Sequence, residues 1–160
     1  LVGWDSSAAP WAAADKLLDG ELRGSLGAIE ALYMGGMNDD RTGRRNVDPR
    51  ALSAILGATL RNRLRELARG ARALERGGGA AEAAREAGVK GAPMTVQAFQ
   101  ARLTKRTAAD WEGMLADFMD LEGRSRSAGG ALVDADTLFR FALRWRIERP
   151  SYAHDSGGGR

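Results

Sequence analysis

The chain has no cysteine, which excludes a disulfide framework, a thiol nucleophile and a cysteine-based zinc site. Its one histidine, His154, lies in a glycine-rich C-terminal stretch. One histidine cannot supply a His₃ or His₂-carboxylate metal centre, and that position suits no Ser-His-Asp set. No apolar run approaches the ~18–20 residues of a membrane span, and the start lacks a signal-peptide pattern. No membrane partner is expected, and the expected setting is cytoplasmic. The first residue is Leu1, as expected of an excised piece of a longer protein. Stretches that alternate apolar and polar residues with β-branched enrichment are missing, so strands are not expected. No GxxxxGK[ST] occurs, so the chain has no P-loop. Lysine is limited to Lys16, Lys90 and Lys105, and arginine supplies the rest of the 24 basic residues.

What is present fits a single helical domain. A chain of 160 residues with 44% apolar residues can bury a core, since chains of roughly 150 residues bury about 68–70% of their unfolded surface. Residues 1–150 form the expected domain, and the Gly/Ser-rich tail 151–160 is expected to be disordered. The net charge is only +3, a weak argument for nucleic acid. Arginine suits bidentate contacts to carboxylate or phosphate. Coding in a GC-rich genome, which also favours the abundant Ala and Gly, accounts for the same surplus.

Helical periodicity runs almost throughout. Pro10 opens a helix in which Trp11, Ala14, Leu17 and Leu18 recur at 3–4 spacing, and Gly20 breaks it. A second helix carries Leu22, Leu26, Ile29, Leu32 and Tyr33 and ends at Gly35-Gly36. Residues 37–47 (MNDDRTGRRNV) read as a mobile polar loop. Asp48 and Pro49 serve as N-cap and first residue of a long helix reaching about Arg76. Leu52, Ile55, Leu56, Leu60, Leu64, Leu67, Ala71 and Leu74 form its apolar arc. Arg61, Arg65, Arg69, Arg72 and Arg76 project on the opposite side, within about 80° of one another. Gly57 and Gly70 inside this helix suggest close packing or a bend.

A flexible cap at Gly77–Gly79, a short helix over 80–87 and a stop at Gly88 follow. Pro93 starts a helix with Val96, Phe99 and Leu103 inward. Thr107 and Asp110 resemble a capping box ahead of Trp111, Met114, Leu115, Phe118 and Met119, a stripe read as core. A loop over 123–130 (GRSRSAGG) then precedes a last helix, about Asp134 to Ile147, stopped by Pro150.

Chemistry is sparse. The carboxylate pairs Asp39-Asp40, Asp117/Asp120 and Asp134/Asp136 read respectively as loop, solvated face and helix N-terminal charge, not as acid–base pairs. The expected domain is therefore nonenzymatic and cofactor-free, and works by binding. Arg61, Arg65, Arg69, Arg72 and Arg76, with Arg124 and Arg126, form the candidate partner or DNA surface. They would meet phosphates in a free-standing nucleic-acid module, or carboxylates of partner subunits in an assembly module. An enzyme fragment completed by a missing domain is a third option.

The order of features resembles the C-terminal domain of the delta subunit of bacterial DNA polymerase III, a clamp-loader component. Pro10 to Gly36 carries a helix ending at "L-x-G-E/D" and then an "AL-x-x-L" helix. Ala51 to Leu74 is similar to the family's "LL-x-x-L-x-R-x-x-R-x-L" helix, and Gly88-Val89 to its "A-x-x-x-G-V/I" segment. Leu115 to Gly130 corresponds to an "L-x-x-x-L/F-x-x-x-D" helix with a basic loop, before a closing apolar helix. The chain differs in a longer link over 37–47, in Arg124 and Arg126 where lysine is common, and in Pro93-Met94 for "P-F/W". The resemblance implies an all-α bundle of about six or seven helices. Its implied role is one member of the collar that joins the clamp-loader subunits, beside gamma/tau and delta-prime. In such a subunit the sliding clamp is met through an N-terminal region absent here, other subunits hydrolyse ATP, and DNA is a further contact.

Overall fold

The computed structural model describes residues 9–39, 41–91, 93–128 and 133–148. The expected disordered tail, 151–160, lies outside them. Among the described residues the chain forms seven α-helices: α1 (Ala9–Asp19), α2 (Leu22–Gly35), α3 (Pro49–Glu75), α4 (Ala80–Ala87), α5 (Pro93–Leu103), α6 (Ala108–Ser127) and α7 (Ala135–Arg144). The fold is all-α, and among the described residues no helix is long and apolar enough to cross a membrane.

Local chemistry sets most helix ends. Asp48 accepts a hydrogen bond from Arg50 N at 3.1 Å, with Pro49 as the first helical residue, which satisfies an orphan donor at the start of α3. Thr107 and Asp110 complete a reciprocal capping box on α6, and Asp134 caps α7 through Thr137 N at 2.8 Å. Gly20 ends α1 in the left-handed region, φ 71°. A Cβ there would lie 2.9 Å from Ile147 N, whose amide donates to Gly20 O at 3.0 Å. That bond ties the chain beyond α7 to the α1–α2 turn.

The long helix α3 is the axis of the core. Leu52, Leu56, Leu60 and Leu64 are fully buried, while Ile55 and Leu74 are only half-buried. Helices α1, α4, α5 and α6 all pack on α3, and α2 packs on α1 and α7. Trp111, Met114 and Phe118 of α6 are fully buried, and Phe118 meets Phe141 of α7 edge-on at 5.5 Å. Trp111 Nε1 donates to Leu103 O at 3.1 Å, which keeps a fully buried donor satisfied. Two glycines of α3 permit close approach. A Cβ on Gly70 would sit 2.8 Å from Phe99 Cζ, and one on Gly57 would sit 3.3 Å from Glu122 Oε1.

Met119, expected in the core stripe of α6, is exposed, and three further expectations need correction. Residues 37–47 hold a two-stranded antiparallel hairpin, β1 (Met37–Asp39) with β2 (Arg44–Asn46), paired Met37 to Asn46 and Asp39 to Arg44. Strands this short carry no readable alternation. The readable signal is the turn: Asp39 accepts from Arg41 N at 2.9 Å, and Gly43 has φ 64°, the chemistry of a tight hairpin connection. The expected loop over 123–130 is helical as far as Ser127. An Asp120–Arg124 pair at 2.6 Å, spaced i,i+4, supports that last turn despite Gly123. Finally, α7 stops at Arg144, not Ile147, because Arg106 donates to Trp145 O and Gly20 accepts from Ile147 N.

Candidate interaction surface

The five arginines of α3 share a face but not an environment. Arg61 Nη1 reaches both carboxylate oxygens of Glu122 on α6 at 2.8 Å. The side chains of this pair are only 26% and 13% exposed, and Gly57 leaves the space that Glu122 occupies. Arg72 grips Glu112 through Nε at 2.5 Å and Nη2 at 2.6 Å, and holds Glu75 at 2.9 Å. This fork-on-fork geometry raises the pKa of Arg72 and lowers that of Glu112, the mutual hydrogen bonds being the chief cause in each. Arg76 pairs with Glu86 of α4. Because Glu112 meets Arg72 and Glu122 meets Arg61, α6 runs antiparallel to α3.

Arg65 and Arg69 differ. Both are exposed, and among the described residues neither forms an ion pair. They stand with Arg72 and Arg76 over an open groove whose floor is Ala68 and Leu115 and whose far side carries Glu86 and Glu112. Five candidate cations therefore reduce to two outside ion pairs, of which Arg69 is also attracted by Glu66 of its own helix.

Arg124 and Arg126 are exposed on the last turns of α6, but Arg124 belongs to another groove. It lies between α6 and α7 with Asp117, Asp120, Arg140 and Arg144. There Arg144 pairs with Asp117 at 3.2 Å and Arg140 with Asp136 at 2.9 Å. Asp117 also accepts from Trp145 Nε1 at 2.9 Å. The carboxylates picked out from the sequence are thus engaged in caps and pairs: Asp39 in the hairpin turn, Asp117, Asp120 and Asp136 with arginines, Asp134 in a cap. Asp40 lies outside the described residues. Among the described residues no group of three or more His, Cys, Asp or Glu is placed to hold a metal.

Two features escaped the sequence reading. Arg102 of α5 binds Asp19 at 2.9 Å and Asp15 at 3.1 Å on α1, with Lys105 also on Asp19 at 2.9 Å. Burial pushes the Asp19 carboxyl up, yet Arg102 and Lys105 outweigh it and hold it below its ordinary value. Second, the Arg106 guanidinium lies 5.4 Å from the ring centroid of Trp111 and 5.8 Å from that of Trp145. Burial pulls its pKa down against the attraction of Asp110, and its Nε has no hydrogen-bond partner among the described residues. Neither feature is complete within a short stretch of sequence, because Arg102 meets α1 and Arg106 meets Trp145 across long separations in the chain. Comparison with protein-family models, curated proteins and solved structures finds no match.

Proposed function

We propose that this chain is the collar domain of a delta-like clamp-loader subunit. It is nonenzymatic in itself and assembles in the cytoplasm with gamma/tau and delta-prime subunits to load the sliding clamp on DNA. The observation that carries this reading is the order of the helices. The segments that resemble the delta family, Pro10 to Gly36, Ala51 to Leu74, the stretch to Gly88-Val89, and Leu115 onward, supply α1–α2, α3, α4 and α6 in turn. Residues from every one of them enter one hydrophobic core. A domain built this way buries its apolar faces internally and offers helix flanks to neighbours.

The arginine stripe favours protein over nucleic acid as the partner. Three of its five members already hold carboxylates, so a duplex would find two free cations on this face. Counterion release through two contacts gives a salt slope of about −1.8, against about −4.5 for five. The test is size-exclusion chromatography of the chain mixed with purified gamma/tau and delta-prime subunits. Co-elution as one complex is expected, and separate elution at both low and moderate salt overturns the reading.

A further inference from the structure

We propose that the outer face of α3 docks an acidic helix of a neighbouring subunit, with two carboxylates one turn apart seated on Arg65 and Arg69. The inference rests on the collar reading for the partner's identity, while the surface itself is argued from its own geometry. Arg65 and Arg69 are spaced i,i+4, which puts their Cβ atoms about 5–6 Å apart on one helix flank. An acidic pair with the same i,i+4 spacing on a partner helix matches that separation. Toward the N-terminus of α3 the same flank carries Ala58, half-exposed, and Ala54, exposed. By the 3.6-residue period these residues lie in line with Arg65 and Arg69. Alanines let a second helix axis approach to the roughly 8–10 Å of packed helices, so the flank offers contact at one end and charge at the other.

The groove beneath the arginines narrows the choice of partner. Its floor, Ala68 and Leu115, is apolar, and its far side holds Glu112 and Glu86, each occupied by Arg72 or Arg76. Because those carboxylates already neutralise Arg72 and Arg76, a polyanion laid along this groove would gain from only two of its four arginines. A helix with two discrete acids and an apolar residue between them uses both of those arginines and covers the floor. Every other arginine of the stripe meets a carboxylate from another helix of this chain. Among the described residues Arg65 and Arg69 meet none, which suits them to a carboxylate from a partner.

The test uses the full chain with gamma/tau and delta-prime subunits at moderate salt. Arg65→Glu with Arg69→Glu should weaken assembly by at least about tenfold, as expected for charge reversal at a paired interface. Arg23→Glu with Arg50→Glu, the same charge change at two exposed arginines outside the candidate surface, should leave it unaltered. Unfolding in urea establishes that each variant is folded, and Arg65→Gln with Arg69→Gln replaces the reversal if that variant is not. If the wild type assembles and both reversals assemble equally well, the docking face is wrong while the collar reading stands. Should the wild type itself fail to assemble, the collar reading falls and this partner with it. If the Arg65/Arg69 reversal keeps assembly but abolishes binding of a primed DNA duplex, the face belongs to nucleic acid and the proposal is overturned.

Discussion

Replacing Gly70 with alanine tests the packing of α5 on α3, because the same change at Gly27 should have the opposite sign. Alanine is favoured over glycine inside a helix by about 0.8–1 kcal/mol. At Gly27, in α2, a Cβ meets nothing within 4 Å, so Gly27→Ala should stabilise by most of that amount. At Gly70 the new Cβ falls 2.8 Å from Phe99 Cζ and 3.3 Å from Leu103 Cδ1. Both partners are buried, at 8% and 2% exposure, so the ring must move α5 or leave its rotamer. Overpacking of this kind costs about 1–3 kcal/mol, which exceeds the propensity gain and leaves a net loss of about 1 kcal/mol. With a urea m-value of about 2 kcal/mol/M, the midpoint should fall by about 0.5 M for Gly70→Ala and rise by about 0.4 M for Gly27→Ala. Phe99→Leu shortens the obstructing ring, so in that background Gly70→Ala should lose most of its penalty, a coupling that a double-mutant cycle measures. Equal stabilisation by both glycine substitutions, with no coupling to Phe99, would refute the close approach of α5 to α3.

Arg61→Ala strands Glu122, a carboxylate only 13% exposed, and should destabilise by about 1–2 kcal/mol, discounted from a fully buried pair for partial solvation. Arg65→Ala touches no partner and should leave the urea midpoint in place; equal effects at the two positions would contradict the division of the stripe. The acid limb of stability supplies another check. Asp19 has a lowered folded pKa, so its contribution is present above the unfolded value, about 3.9, and is lost as pH falls through the folded one. Asp19→Asn should therefore cost stability at pH 7, with a cost that shrinks as pH falls below the unfolded value, as followed by urea titrations across the acid range. Glu66 is the reverse case: burial raises its pKa against the pull of Arg63 and Arg69. Its ionised form disfavours folding, a penalty absent below the unfolded value and imposed as pH rises through the folded one. Glu66→Gln should then stabilise at pH 7 with a gain that vanishes by about pH 3.5; a constant gain would point to packing instead.

Helix existence was legible because its signals are local. The caps at Asp48 and Thr107, the N-terminal charge of Asp134, the prolines at helix starts and the leucine arc of α3 act within one or two turns of the residues that carry them. The same locality explains what was misread. The hairpin over 37–46 depends on three-residue strands that show no period, and Gly123, whose cost inside a helix is only about 1 kcal/mol, does not stop α6 short of Ser127. The clasp of Arg102 on Asp15 and Asp19 spans more than eighty positions, beyond any periodic pattern.

The arginine stripe divides along the same line. The spacing of Arg61, Arg65, Arg69, Arg72 and Arg76 alone put them on one flank of one helix, since a 3.6-residue period permits nothing else. Which of them are neutralised was decided only when α6 packed antiparallel on α3. That packing brought Glu122 to Arg61 across 61 positions and Glu112 to Arg72 across 40. An ion pair needs two groups within a few ångströms, and the distance between segments far apart in sequence is set by how cores close. Among the described residues Arg65 and Arg69 form no ion pair, although Glu66 of the same helix attracts Arg69, because no neighbouring helix brings an acid within reach of them, a property of the bundle and not of the helix.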